Sequence, residues 1–454
     1  MISIPFTGGA TLALLSVLTA CATTAGTSYF DTQRSALAYS ADGPSRPADD
    51  AISVSTRVLD RAAFVRAVLL RNPSLESAKQ AWRAASARVR GSGTFEDPML
   101  DLGVAPLSVG SSKAPLGYEV GISQKLPWFG KRSFEVAGAA ADAEAVKSDY
   151  ASVERDLALN AVLLYDQYFV ATRALEINAQ HVELMKAMRD AANAQFTTGR
   201  ASAGDALQAE SELAHMEHDS AVLSSQRDVT AAQMNELLHR SPELPLPPPP
   251  RDLPPPLLPA ADPKRLEAQA LRGRPEIRAA QQRARAQQAL ADGASRDSYP
   301  DVTVSTSYNS MWDMPEHRWM VGVGLNLPIQ SGRRAALLDE ATAARAQFES
   351  EAARLSDAAR TQVFVALKQL EESQHVLRVF EQRLTPLARS LVDAARSGFV
   401  TSQNSFLAVI DAEKNLRQVE LDYQVARAQF DRHSAELERA LGRIPGIESQ
   451  ESDQ

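Results

Sequence analysis

Soft metal ligands cluster in one short stretch of the sequence. Met311, Met314, His317 and Met320 fall within ten positions of one another. Thioether sulfur and imidazole together form a ligand set that suits copper(I) or silver. Methionine close to tryptophan more often serves packing than ligation, and Trp312 lies in the same stretch. The sequence therefore predicts no bound metal and no cofactor, with these four side chains as the alternative metal site.

No catalytic motif accompanies these residues. The seven histidines are scattered, and the chain contains no HExxH, GxSxG, Walker or CxxC pattern. Asp and Glu are plentiful, but on polar helices they mostly form a solvated face, so a catalytic carboxylate pair is not expected. The net charge of −8 argues against nucleic acid, whose phosphates require a basic face. We expect a protein that is not an enzyme and has no nucleic-acid partner.

The single cysteine directly follows a short, mostly apolar segment. Residues 10–18 lead into Leu18-Thr19-Ala20-Cys21, which resembles the lipobox of bacterial lipoproteins. This interpretation makes residues 1–20 a signal peptide and Cys21 the lipid attachment site. Residues 21–58, with a mixture of Ser, Thr, Pro, Gly and Asp, are predicted to form a flexible lipidated segment. The alternatives are an ordinary signal peptide with a chance cysteine, or a free buried thiol.

One junction occurs twice in the chain, about 200 residues apart. Each time an alternating strand pattern runs into Leu-Pro and then into Gly followed by two basic residues. A long stretch without proline and with almost no glycine comes next. Such a pattern predicts a strand that turns into a helix, at Pro127 and Gly130 and again at Pro328 and Gly332. An internal repeat of this kind predicts two copies of one structural unit.

Both units have the same order of elements: helix, two strands, a very long helix and a return helix. We place the first repeat at residues 59–240 and the second at 264–442, joined by a proline-rich extended linker at 241–263. Residues 443–454 are predicted to be a disordered tail. The predicted strands are about 98–107, 116–127, 300–310 and 318–328, the long helices about 131–196 and 333–396, and the return helices about 205–239 and 405–441.

The strands alternate between apolar and polar residues, and each has about 9 to 11 residues, which is the length that crosses a bilayer at a tilt. No apolar run reaches the roughly 18 residues of a membrane-spanning helix. We therefore expect any membrane crossing to be made by strands. Four strands leave open edges, which lipid does not tolerate, so the chain is expected to oligomerise.

The long helices predict a mainly α fold with a small β part. At about 65 residues and 1.5 Å per residue, each would be about 100 Å long. Gly199 and Gly398 are predicted to end them as left-handed tip turns, and Pro386 to bend the second. Apolar residues at steps of three and four predict packing on partner helices. In the second helix this stripe comprises Val363, Ala366, Leu370, Leu377, Phe380, Leu384, Leu387, Leu391 and Ala394.

The two repeats, the linker and the lipobox together resemble the outer-membrane efflux channel family, the TolC-like proteins. EDPMLDLGV at 96–104, QKLPWFGKR at 124–132 and MPEHRWMVGVGLNLPI at 314–329 resemble its lipoprotein subgroup that serves heavy-metal RND pumps. The resemblance implies a homotrimer in which twelve transmembrane strands close one barrel and long antiparallel helices form a periplasmic α-barrel. It also implies a passive exit duct for heavy-metal cations in the bacterial outer membrane, with a periplasmic adaptor and an inner-membrane RND-type pump as partners.

The same resemblance points to the periplasmic entrance. The family's Asp-Val-Leu-Asp pattern corresponds here to Ala408-Val409-Ile410-Asp411, and Asp205 matches the entrance aspartate of the first repeat. Three copies of Asp411 around an axis would attract cations, whereas Glu413 is expected to matter little. Both aspartates could instead be residues that favour a helix start.

Two alternatives to metal export remain open at this point. A multidrug or type I secretion exit duct would share the family and the fold. A trimeric coiled-coil scaffold lipoprotein would have the helices but no pore. Ion conductance separates a channel from a scaffold.

Overall fold

The computed structural model describes residues 58–110, 112, 115–197, 202–253, 262–401 and 403–447. The predicted signal peptide, Cys21 and Gly199 lie outside the described residues. Within the described ranges, no helix combines the length and apolar character needed to cross a membrane.

Caps and prolines set the boundaries of the first helices. The side chain of Asp60 accepts a hydrogen bond from Ala63 N, and that of Asn72 from Ser74 N. Pro73 ends one helix and begins the next, because proline disfavours a helical residue before it and suits a first helical turn. The first repeat comprises α1 (Arg61–Arg71), α2 (Pro73–Ser92), β1 (Met99–Val104), β2 (Tyr118–Leu126), α3 (Lys131–Thr197) and α4 (Ala203–Leu237).

The second repeat follows the same order, and Pro275 divides its first two helices as Pro73 does in the first repeat. The mainly helical, two-repeat fold predicted from the sequence is thereby confirmed. This repeat comprises α5 (Pro263–Gly273), α6 (Pro275–Arg296), β3 (Val302–Asn309), β4 (Trp319–Leu325), α7 (Ser331–Val379), α8 (Thr385–Val400) and α9 (Phe406–Ala440).

One antiparallel sheet joins the two repeats. Its strands lie in the order β1-β2-β3-β4, so β2 of the first repeat pairs with β3 of the second. Ile122 is opposite Leu100 on one side and Thr306 on the other. Apolar side chains of β1, β2 and β4 are exposed, Leu102 to 70% and Val321 to 75%, whereas those of β3 are half-buried. The sheet therefore presents an apolar surface that the chain itself leaves uncovered.

The two junctions differ in their local geometry. Gly130 has a φ of 92°, which favours glycine, and α3 begins at the next residue. Lys131 Nζ then lies 2.8 Å from Asp301 Oδ1 and holds the first junction against the second repeat. Gly332 instead lies inside the first turn of α7, and a Cβ there would meet no atom within 4 Å. The sequence correctly marks both sites, but only the first junction requires a glycine.

The helices form four columns side by side. The long helix α3 packs on α2 and α6 near the sheet and on α4 and α9 at its far end. The column of α7 and α8 packs on α6 and α9. The lateral order is therefore α2/α4, α3, α6/α9 and α7/α8. Within the described chain, the first and last of these columns each have a partner on one side only.

A π-helical turn at Phe380–Leu384 interrupts the second long helix just before Pro386, as the proline predicts. The predicted stripe is buried above this turn, for example at Leu370 and Leu377. Below the turn the prediction is wrong. The buried residues there are Ala388, Val392 and Ala395, each one position after a predicted Leu387, Leu391 or Ala394. The π turn contains one extra residue, which rotates the following helix by about 100°.

Gly398 does not end the long helix, in contrast to the prediction, because α8 continues to Val400. Its carbonyl accepts hydrogen bonds from Gln403 N at 2.7 Å and Asn404 N at 3.0 Å. A Cβ at Gly398 would lie 2.3 Å from Asn404 Nδ2. Gly398 thus leaves room for the Asn404 side chain, which a Cβ would displace, and it does not adopt a left-handed conformation.

The linker and the start of the tail are packed on the helices. Tyr168 Oη donates to the carbonyls of Leu246 and Pro247 at 3.3 Å. Residues 443–447, predicted to belong to a disordered tail, are ordered, since Ile444 and Ile447 pack on the same core cluster as Tyr168. The segment fixes the end of α9 against the first repeat.

A buried charge cluster crosses the two repeats beside this core. Arg61 Nη1 lies 3.8 Å from Asp166 Oδ1 and 3.7 Å from Asp431 Oδ1, and both carboxylate side chains are nearly inaccessible. Their oxygens make no hydrogen bond within the described chain. Burial raises the pKa of Asp431 to about 6, although Arg61 and Arg427 oppose the shift. Asp431 is therefore harder to ionise in the folded protein than in the unfolded chain.

This shift predicts a pH dependence of stability. Because the folded pKa exceeds the ordinary value of 3.8, Asp431 stabilises the fold at low pH, and this contribution is lost as pH rises through about 6. A difference of about two pKa units corresponds to about 3 kcal/mol. We expect the wild type to gain more thermal stability between pH 8 and 4 than Asp431→Asn, as followed by helical circular dichroism, since the contribution builds up as the pH falls from about 6 towards 3.8. Equal pH slopes in the two proteins would contradict this assignment.

Candidate channel entrance

The two hairpin ends of the columns hold both sequence-predicted entrance aspartates. Asp205 lies in the first turn of α4, where its carboxylate accepts from Ser202 N at 3.0 Å and from Ser202 Oγ at 2.9 Å. Ser202 Oγ in turn accepts from Asp205 N at 3.2 Å. This reciprocal pair is a capping box, which satisfies backbone donors at the helix start. The observed contacts of Asp205 are therefore those of a helix cap.

Asp411 is placed differently. It lies in the second turn of α9 and is exposed. Its carboxylate makes no hydrogen bond or ion pair to any part of the chain that the structure describes. Asp411 thus offers a free negative charge to solvent near the hairpin end.

Glu413 follows two positions later and is buried, with a side chain only 1% exposed. Its Oε1 lies 2.5 Å from Arg396 Nη2 on α8, and its Oε2 lies 3.9 Å from His181 Nδ1 on α3. The sequence predicts little effect of Glu413 on the entrance and gives no sign of its burial; the effect stays a prediction.

Glu420, two turns further along α9, also contacts His181. Its Oε2 lies 3.2 Å from His181 Nε2, and its Oε1 accepts from Arg389 Nη2 at 3.3 Å. The hydrogen bond from His181, together with Arg389, lowers the pKa of Glu420 despite its partial burial. Both carboxylates therefore bind α9 to the long helix of the other repeat and to α8.

Further ion pairs join α9 to the first hairpin. Lys414 Nζ lies 2.6 Å from Glu212 Oε2, and Arg417 Nη1 lies 3.0 Å from Asp219 Oδ2 on α4. Arg417 also donates to Asn178 Oδ1 on α3 at 2.9 Å. The sequence interpretation missed this network. Its signal is the run of charged residues at steps of three and four on α9, which places them along one face.

The predicted alternative metal ligands lie in the loop between β3 and β4. Met314 is 60% exposed, and Met311 packs against Gly117. His317 lies edge-on to Trp312, with ring centroids 6.2 Å apart. Among the described residues, no three His, Cys, Asp or Glu side chains form a group that could hold a metal ion. Methionine is not among these residue types, so the four-residue alternative stays a prediction.

Fold and repeats together define the class of the protein. The chain matches the model of the outer membrane efflux protein family over residues 64–239 and 266–443. The chain belongs to this family. It is therefore an efflux channel of the outer membrane, as the resemblance in the sequence predicts.

Individual members of the family and solved structures are also similar to this chain. The cobalt-zinc-cadmium resistance protein CzcC of Cupriavidus metallidurans is 24% identical over 320 residues, which are 69% of this chain and 74% of CzcC. Among solved structures, that of CusC aligns with a TM-score of 0.73 at 19% identity. The alignment covers 86% of this chain and 96% of the CusC chain. The outer membrane protein VceC of Vibrio cholerae aligns with a TM-score of 0.70 at 17% identity and covers 84% and 96%.

Proposed function

We propose that the protein is the passive exit duct of a tripartite system that exports heavy-metal cations. The likeness to CzcC over about two thirds of the chain carries the choice of substrate class, since CzcC is a cobalt-zinc-cadmium resistance protein. The motifs that resemble those of heavy-metal channels lie in the strands and the adjoining turns. They are separate from the long helices that define the fold. The protein itself contributes a path and no chemistry.

Three copies form the duct. The described sheet has two free edges, β1 and β4, and apolar residues of β1, β2 and β4 are exposed. A strand edge in lipid leaves backbone groups without partners, so a single four-stranded chain is unfavourable there. A homotrimer joins β4 of each copy to β1 of the next and closes a barrel of twelve strands.

The partners follow from the energy requirement. The sequence holds no nucleotide-binding motif, so transport is driven by an inner-membrane pump of the RND type, through a periplasmic adaptor that meets the helical hairpins. Acylated Cys21 anchors the mature chain in the outer membrane, with most of its mass in the periplasm. Insertion depends on the strands, because a lipid chain alone gives only weak, reversible binding.

Asp411 sets the charge of the entrance. Three exposed carboxylates around the axis raise the local concentration of cations and repel anions, most strongly where the passage is narrow and dry. Asp205, engaged in its capping box, contributes less. Asp411 therefore contributes one ring of three free carboxylates per trimer.

We expect Asp411→Asn to lower the cation preference of single channels in planar bilayers, seen as a reversal potential closer to zero in a salt gradient. Block by divalent cations from the periplasmic side should weaken as well. Asp411→Glu retains the charge and should behave as the wild type, and Asp393→Asn, also exposed on the same hairpin, serves as the control. Unchanged reversal potential and block in Asp411→Asn would remove this residue from the entrance.

A cellular assay separates the candidate functions. In a metal-sensitive host that carries the partner pump and adaptor, the wild-type chain should lower the cellular content of cobalt, zinc or cadmium. Export of a drug or a secreted polypeptide without any change in metal content would instead favour the multidrug or type I secretion alternative. Absence of conductance would favour the scaffold.

A further inference from the structure

Three leucines, one at the end of the π turn and two on α8, are exposed in the described chain. Leu384, Leu387 and Leu391 are 39%, 62% and 49% exposed. Leu387 and Leu391 each lie one position before a buried residue, Ala388 and Val392, and hence about 100° around the helix from that contact. Leu384, three positions before Leu387 and seven before Leu391, lies on the same helix face as both. The α7/α8 column is an edge of the layer, so these side chains, the leucine stripe, flank its open side.

A shallow groove lined by both apolar and polar side chains lies on the opposite edge column. It has a volume of about 690 Å³ and runs along the outer side of α4, where Gln167 of α3 forms one wall. Val222 and Val229 line it and are 51% and 55% exposed. His218 and Gln233 mark its two ends. We refer to it as the α4 groove.

Ion pairs fix the relative heights of the two features. On α8, Arg389 pairs with Glu420 of α9 and Arg396 pairs with Glu413 of α9. Val392, between the two arginines, therefore lies level with Arg417, between the two glutamates. Arg417 pairs with Asp219 of α4 at 3.0 Å. Val392 and Asp219 therefore lie at the same level, to within about one helical turn.

The leucine stripe and the α4 groove meet at this height. Leu387 lies five positions closer to the sheet than Val392, and Val222 lies three positions closer to the sheet than Asp219. At 1.5 Å per residue, the heights of Leu387 and Val222 therefore differ by about 3 Å. Cyclic symmetry rotates one copy onto the next without moving it along the axis. A neighbouring copy therefore presents its α4 groove at the level of the leucine stripe.

We propose that the leucine stripe of one copy seats in the α4 groove of the next and forms the seam of the helical tunnel. The π turn makes this possible, because an uninterrupted helix would turn the leucines toward α9 within the same chain. The inference rests on the trimer proposed above and assigns the surfaces that close it. The contact is heterologous, so the same pair of surfaces recurs at each of the three seams.

Paired cysteines test the seam in native membranes. Leu387→Cys combined with Val222→Cys should form disulfides on mild copper-phenanthroline oxidation and yield two-chain and three-chain bands on non-reducing gels. Leu391→Cys with His218→Cys is a second pair at the same level, in case the first disturbs assembly. Each single variant controls for reaction with Cys21. Asp393→Cys with Val222→Cys is the matched control, because Asp393 is exposed on the far side of α8.

The outcomes separate the seam from the trimer. Cross-linked bands from both seam pairs and not from the Asp393 pair support the seam. Trimers by native mass spectrometry with no cross-link from either seam pair overturn the seam and leave the proposed duct intact. Bands that contain a different protein overturn it in favour of an adaptor in the groove. Monomers alone overturn both the seam and the trimeric duct.

Discussion

Replacing Gly442 with alanine should destabilise the folded protein by about 3 kcal/mol, the sum of a left-handed backbone cost and a backbone clash. Gly442 follows α9 and has a φ of 79°. A Cβ there would lie 2.5 Å from the carbonyl carbon of Gly273 and 2.9 Å from Arg274 N. Both are backbone atoms at the break between α5 and α6, which no side-chain rotation can move away.

Gly332→Ala provides the matched control for this substitution. A Cβ at Gly332 meets open space inside the first turn of α7. Alanine there should be neutral or stabilise by up to about 1 kcal/mol, because it restricts the unfolded chain. Thermal unfolding of the detergent-solubilised protein, followed by circular dichroism, checks both. A Gly442→Ala protein as stable as Gly332→Ala would show that the end of α9 can move freely away from Gly273.

Removing Glu413 should have an effect of similar size. Loss of one member of a buried ion pair costs about 3 to 5 kcal/mol, and about 2 to 3 kcal/mol is expected here because Arg396 is half exposed. Glu413→Ala leaves Arg396 and the buried His181 without this carboxylate. The contact between the two hairpins should loosen, and limited proteolysis at the hairpin ends should become faster.

Asp411 is the control for Glu413, only two residues away. Asp411→Ala removes an exposed charge and should change stability by less than about 0.5 kcal/mol. A double-mutant cycle of Glu413→Ala with Arg396→Ala should show strong non-additivity, because the two residues share one interaction. Additive effects would mean that the short contact contributes nothing to the fold.

Local sequence signals were sufficient for the architecture. The repeated Leu-Pro and Gly signal indicates the two junctions, and Asn72-Pro73 indicates the break between α1 and α2, because proline and glycine act on their immediate neighbours. Heptad spacing correctly identifies the buried stripe of α7 down to Leu377. Each of these signals is read over a few adjacent residues.

The remaining features depend on contacts between distant segments. The π turn adds one residue and moves burial from Leu387 to Ala388, a shift that periodicity alone cannot register. The burial of Glu413 depends on Arg396 and His181 from two other helices. The packing of residues 443–447 depends on the meeting of α9 with the first repeat. A single sequence indicates which residues are charged or small, but not which of them meet.

The most direct test of the account is the conductance of the purified wild-type protein in planar lipid bilayers. A channel should give discrete, reproducible current steps of uniform size, each from one inserted trimer, with a cation preference that Asp411→Asn reduces. Membranes that contain verified trimers but show no conductance, whatever the voltage or salt, would contradict the assignment of the protein as an open path across the outer membrane.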